Sequence, residues 1–202
     1  MRIGEAFAIP HEGCIMGKIS KWAMIPTAIL FGMAMAVLGA DTELKVKEGD
    51  KAPNIALPAA QIEKALPDSK DKVLDLKSLQ GKKNVVLFFY PKAMTKGCTI
   101  ESCGFRDVNE KFAAVDTVVI GISIDKLEDQ EKFITKEKLN FALLADTEGK
   151  ITKELGVLND NGKTSKRVTF VIDKEGVIRK IYTKVDTKAH PAEVLEFIKT
   201  LK

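Results

Sequence analysis

Hydrophobic positions along this chain fall into two patterns, continuous runs and helical stripes, with polar stretches between them. Val85-Val86-Leu87-Phe88-Phe89 is a continuous apolar run of strand length, the signature of a central strand buried on both faces. Val118 to Ile124 predicts a second buried strand, and Phe141 to Leu144 another strand. Val73-Leu74-Asp75-Leu76 predicts a strand before a turn at Gly81, and Ile55 to Pro58, bracketed by Pro53 and Pro58, a short edge strand. Residues 41–54 read as an extended polar lead-in and 59–72 as a loop or short helix.

Other segments carry helical spacing. A helix is expected from about Thr99 to Ala114, with Val108, Phe112 and Val115 on one face. A second is expected from Leu127 to Leu139 with Ile134 inward, and a short one from Ile151 to Leu155 before Gly156. Val168 to Ile172 and Val177 to Tyr182 flank Asp173-Lys174-Glu175-Gly176, a hairpin signal. The chain closes with an amphipathic stripe of Val194, Leu195, Ile198 and Leu201. Alternating strands and helices, then a hairpin and a closing helix, imply an α/β protein with a mixed sheet and helices on both faces. That order is compatible with a thioredoxin-like fold.

The first forty residues follow different rules. Lys18 and Lys21 precede an uncharged stretch from Trp22 to Ala40. A positive flank, an apolar run and a small-residue end are the layout of a secretory signal. Ala40, or Ala34 with Ala36, offers a cleavage site, and either Met1 or Met16 serves as a start. The run is also nearly long enough for an uncleaved membrane anchor, although Pro26 and Gly32 disfavour a long helix. The expectation is thus a leader or anchor over 1–40 and one domain over 41–202, exported and periplasmic, or anchored facing the periplasm.

The 202 residues include 32 basic and 28 acidic ones, for a net charge of +4. These are mixed along the chain, so there is no clustered basic footprint for nucleic acid. Loss of the leader removes Cys14 and His11 and leaves Cys98, Cys103 and His190. Two cysteines in an exported chain suggest a disulfide.

Cys98 follows a buried strand and lies near a helix start. Free N–H groups and the helix dipole there favour a thiolate. Cys103 comes five residues later. In a regular helix, five steps put the two Cα atoms ~8.7 Å apart, beyond the ~7 Å that a disulfide allows. Pairing would therefore require the helix start to unwind. Gly104 would ease that, being a poor helix residue. His190, before Pro191 at the start of the last helix, is assigned no catalytic role.

Pro91-Lys92-Ala93-Met94-Thr95-Lys96-Gly97-Cys98 matches P-x-x-x-T-x-x-C. With FFYPKAMTKGCTIESCGFRD, GDKAPNIAL, GISID, FALLAD and RVTFVIDKEG, the chain resembles the peroxiredoxins of the Q type, also called bacterioferritin comigratory proteins, over about residues 48–202. The resemblance implies a thiol peroxidase acting on hydroperoxides without a metal or other cofactor, commonly as a monomer. It makes Cys98 the peroxidatic cysteine and Cys103 the resolving one, joined in an intramolecular disulfide that a thioredoxin-like donor reduces. It also makes Thr95 a hydrogen-bond partner of the peroxide, Pro91 a shield against water, and Arg167 the group that stabilises the thiolate and polarises the peroxide. Two departures stand out: Ala93-Met94 replace a usual acidic pair, and Lys96 a usual proline. Two other readings share the fold class. A thiol–disulfide oxidoreductase would carry C-x-x-C. A copper chaperone would carry C-x-x-x-C with a distant histidine. The spacing here, C-x-x-x-x-C, fits neither.

Overall fold

In the computed structural model, which describes residues 43–201, the apolar runs become the middle of a seven-stranded mixed sheet. The strands are β1 Ala56–Ala60, β2 Val73–Asp75, β3 Asn84–Phe89, β4 Thr117–Ser123, β5 Ala142–Ala145, β6 Val168–Ile172 and β7 Ile178–Tyr182. Their order across the sheet is β2-β1-β5-β4-β3-β6-β7. Three of the expected strands lie side by side as the parallel set β3, β4 and β5. Every residue of β3 is buried, because both faces of the sheet are covered.

The helices are α1 Lys96–Ala113, α2 Leu127–Glu137, α3 Lys150–Glu154 and α4 His190–Ile198. They divide unequally between the faces. Phe105 and Phe112 of α1, Phe133 of α2, and Val194, Leu195 and Ile198 of α4 pack with Val86, Phe88, Val119 and Leu143 on one side. On the other side, Ile151 of α3 joins Leu76 and Leu79 from a 3-10 turn, with Leu44 and Val46 of the lead-in packed against them. The lead-in also covers the β7 edge, where Gly49 donates to the Ile178 carbonyl and Ile178 to the Asp50 carbonyl.

Three local expectations are corrected. The segment at Ile55–Pro58 is not an edge strand: β1 lies between β2 and β5, and β2 is the edge. Proline is tolerated because β1 pairs with β2 as far as Pro58 and with β5 from Ala59, so the missing N–H falls where the pairing changes sides. Helix α1 begins at Lys96, three residues earlier than the apolar stripe suggests. In α2 the buried positions are Gln130 and Phe133, while Ile134 is only partly covered. The hairpin at Asp173–Gly176 forms as expected, with Gly176 at φ 77°. The leader expected over 1–40 lies outside the described residues. Among the described residues no helix is long and apolar enough to cross a membrane.

Candidate active site

Sheet topology brings three distant pieces of chain to one place. Strand β3 ends at Phe89, opposite Ile122 and one residue short of the end of parallel β4 at Ser123. Antiparallel β6 begins opposite Phe89, at Val168. Arg167, just before that strand, therefore reaches the point where α1 starts. Its Nη2 donates to Cys98 Sγ at 3.2 Å. Gly97 leaves room for this approach, since a Cβ there would lie 3.3 Å from Nη2.

Cys98 is the third residue of α1 and fully buried. The N–H groups of this first turn have no partners within the helix, and the dipole is positive here. A thiolate at this position thus meets a helix end and a guanidinium together. An arginine is suited to the second task, because it keeps its charge and presents fixed donors.

Glu101, one turn further along α1, is also fully buried. Its Oε2 is ion-paired with Arg167 Nη1, while Oε1 is buried with no hydrogen-bond partner. Burial pushes the carboxyl from 4.5 up to about 7, against the pull of Arg167. The guanidinium is thus shared between a sulfur and a carboxylate, and that sharing orients it. Sequence reasoning missed Glu101. The three-residue spacing from Cys98, which puts both on one helical face, was the available signal.

The loop before α1 is held from beneath. The Ala93 N–H donates to Asp125 Oδ2 at 2.7 Å, and Ser123 Oγ donates to the same oxygen at 2.9 Å. Gln130 Nε2 donates to Ser123 Oγ and to the Leu144 carbonyl. The Gln130 amide oxygen accepts from the buried Tyr90 hydroxyl, whose ionisation burial opposes. Ser165 Oγ donates to the Tyr90 carbonyl at 2.7 Å. This network ties β3, β4, α2 and the segment before β6 to one loop. Met94 sits in that loop at φ 61°, exposed. Thr95 is the N-cap of α1 by backbone position, but its hydroxyl donates to the Lys92 carbonyl at 3.0 Å and makes no cap bond. Pro91, half-buried, borders an open groove of about 780 Å³ together with Arg167, Val168, Leu44 and Lys184.

Cys103 is partly buried, and like the fully buried Cys98 it is a free thiol. Both lie in one uninterrupted helix, with Cys103 Sγ 3.8 Å from Glu137 Oε2. Burial raises the Cys103 thiol above its ordinary range; Arg106 opposes this and Glu137 adds to it. Arg106 itself pairs with Asp107 at 2.7 Å and donates to the Glu137 carbonyl at 2.6 Å.

A model of the AhpC/TSA family matches residues 48–181. Peroxiredoxin Bcp of Bacillus subtilis is 42% identical over 164 residues, covering 78% of this chain and 98% of that protein. The putative peroxiredoxin bcp of Coxiella burnetii is 39% identical over 158 residues, covering 75% and 98%. The chain belongs to the AhpC/TSA family, as a Bcp or Q-type peroxiredoxin. The crystal structure of peroxidoxin BcpB from Mycobacterium tuberculosis is similar to this peroxiredoxin at a TM-score of 0.68 and 33% identity, over 78% of this chain and 99% of that one. The thioredoxin-like fold expected from the element order is therefore present. The protein is an enzyme, a thiol-dependent peroxidase among the oxidoreductases.

Of the five residues singled out from the sequence, the fold joins Cys98 and Arg167 directly and sets Pro91 beside Arg167. Thr95 stands at the helix start with its hydroxyl engaged. Cys103 is five residues along the same helix. Tyr90, Ser123, Asp125 and Gln130 were missed because nothing in their spacing distinguishes loop-bracing residues from ordinary polar ones.

Proposed function

We propose that this peroxiredoxin reduces hydrogen peroxide and organic hydroperoxides through Cys98 and an intramolecular Cys98–Cys103 disulfide. The observation that carries the reading is the 3.2 Å contact between Arg167 Nη2 and Cys98 Sγ in the first turn of α1. The Cys98 thiolate attacks one peroxide oxygen and the O–O bond breaks. The leaving oxygen takes a proton and departs as water or alcohol, and Cys98 becomes a sulfenic acid. Arg167 holds its positive charge where negative charge develops. Thr95 donates to the bound peroxide once its hydroxyl turns from the Lys92 carbonyl, and Pro91 limits water at the sulfur.

The Cys103 sulfur then attacks Cys98, the S–O bond breaks, and water leaves with the thiol proton. A thioredoxin-like dithiol supplies the two electrons that restore both thiols. The protein acts as a monomer after export, its leader removed near residue 40.

Stopped-flow oxidation of the reduced protein by hydrogen peroxide, with thiols counted and peptides mapped by mass spectrometry, tests the scheme. Rapid consumption and a loss of two hydrogens in a Cys98–Cys103 peptide pair are expected. Turnover retained in Cys98→Ser, or a disulfide-linked dimer as the main product, overturns it.

A further inference from the structure

The proposed disulfide requires Cys98 to Cys103 to leave the helical form, and the next two residues of α1 rest on the start of α4. A Cβ at Gly104 would lie 2.8 Å from Pro191 Cγ, so the helices touch there. Phe105 is fully buried and meets the His190 ring edge-on, with centroids 5.7 Å apart and planes at 86°.

His190 has no part in the chemistry above, yet it is fully buried. Its Nε2 is 2.8 Å from Thr169 Oγ1, two residues from Arg167 on β6. Its Nδ1 is buried without a hydrogen-bond partner. A buried polar atom left unpaired costs free energy that water would relieve. If α1 opens as far as Phe105, water reaches that atom. The imidazole is thus part of what covers the closed helix and part of what is released when the helix opens.

We propose that His190 is a positioning residue for the resolution step: it seats Phe105 and the closed form of α1, and opening gives its ring to solvent, so that disulfide formation in mildly acidic solution is coupled to uptake of a proton at His190. This rests on the Cys98–Cys103 reading above. The hydroperoxide remains the oxidant, and the proton comes from solvent.

The groups facing the ring account for the direction. Burial and the Arg167 charge push the closed-state imidazole from 6.5 down to about 4. Tyr182 of β7 meets it edge-on at 5.0 Å, and Thr169 is neutral. Glu193, on its own helix, is the one nearby acid in contact among the described residues; its Oε2 is 3.9 Å from Nδ1 and half in solvent. Glu101 lies beyond Arg167 and is bonded to it. Glu101 titrates in the opposite sense, since opening releases its proton. A pH profile of the whole protein would therefore mix the two, and the ring has to be observed by itself.

The test is a proton–carbon NMR titration of the two histidine rings, His11 and His190, in the full chain, reduced and after one equivalent of hydrogen peroxide. His11→Gln assigns the signals. The His190 midpoint should lie near 4 when reduced and rise by at least about one pH unit in the disulfide form, a tenfold gain in proton affinity. A second readout is the split of sulfenic acid between disulfide and sulfinic acid. Lowering the pH from about 7.5 to about 5.5 should favour the disulfide more in the wild type than in His190→Asn. An unchanged midpoint in protein whose Cys98–Cys103 disulfide has been mapped, or identical splits in the two proteins, overturns this inference and leaves the peroxidase scheme standing. Failure to form that disulfide overturns both.

Discussion

At the scale of single residues, one guanidinium organises the site. Arg167 touches Cys98 and Glu101 at once, so its removal withdraws a fixed charge from the sulfur and leaves a buried carboxyl unpaired. Arg167→Ala should slow peroxide oxidation of Cys98 by about 10²–10³-fold, the usual effect of losing a donor at a developing oxyanion; stopped-flow rates within a few-fold of wild type would remove Arg167 from the chemistry. Glu101 and His190 flank this group with opposite proton linkage. The native state holds the Glu101 proton more tightly than the unfolded chain, so its contribution to stability is present below pH 4.5 and lost as pH rises through about 7. His190 runs the other way: the unfolded imidazole binds a proton that the buried one refuses, and stability rises between about 4 and 6.5. Glu101→Gln removes the falling branch. Its urea midpoint should climb more steeply from about pH 4.5 to 6.5 than that of wild type. Parallel profiles would show that Glu101 does not hold its proton in the native state.

At the scale of elements, the proposed scheme asks two opposed things of α1. Its first turn must be intact to present N–H groups and dipole to Cys98, yet the two cysteines cannot join while it stays helical. Gly104 sits at the junction. Its poor helix propensity alone would suggest that replacement closes the helix, but its packing suggests the reverse. A methyl at 104 would lie 2.8 Å from the ring of Pro191, which cannot rotate away. Overpacking of this kind costs about 1–3 kcal/mol, more than the ~1 kcal/mol that alanine gains over glycine in a helix. Gly104→Ala should therefore lower the melting temperature by about 3 °C and, at equal peroxide, yield less sulfinic acid than wild type because α1 opens more readily. A higher melting temperature would mean that propensity outweighs the contact with α4.

At the scale of the whole molecule, we propose that the segment before about residue 41 directs the domain out of the cytoplasm. Protein isolated from its native host should begin between about residues 37 and 41 and be found outside the cytoplasm; N-terminal sequencing that still reads residues 22–36 would make the segment an anchor. For the domain itself, much was legible in order along the chain. The continuous runs at β3 and β4 read as buried strands, because a doubly covered strand accepts apolar residues on both faces. The placement of Cys98 after such a strand, the distance between the cysteines in a helix, and the hairpin at Asp173–Gly176 followed from local spacing alone. Tertiary structure decided what spacing cannot carry. Arg167 is 69 residues from Cys98, and they meet because antiparallel β6 starts opposite the end of β3. The partners of Glu101, Gln130 and His190 likewise come from other elements. Pro58 suits an interior strand only because the pairing changes sides at that residue. A periodic pattern records which face of an element is buried, whereas which element covers that face, and which charges it brings, depends on how the whole sheet is ordered.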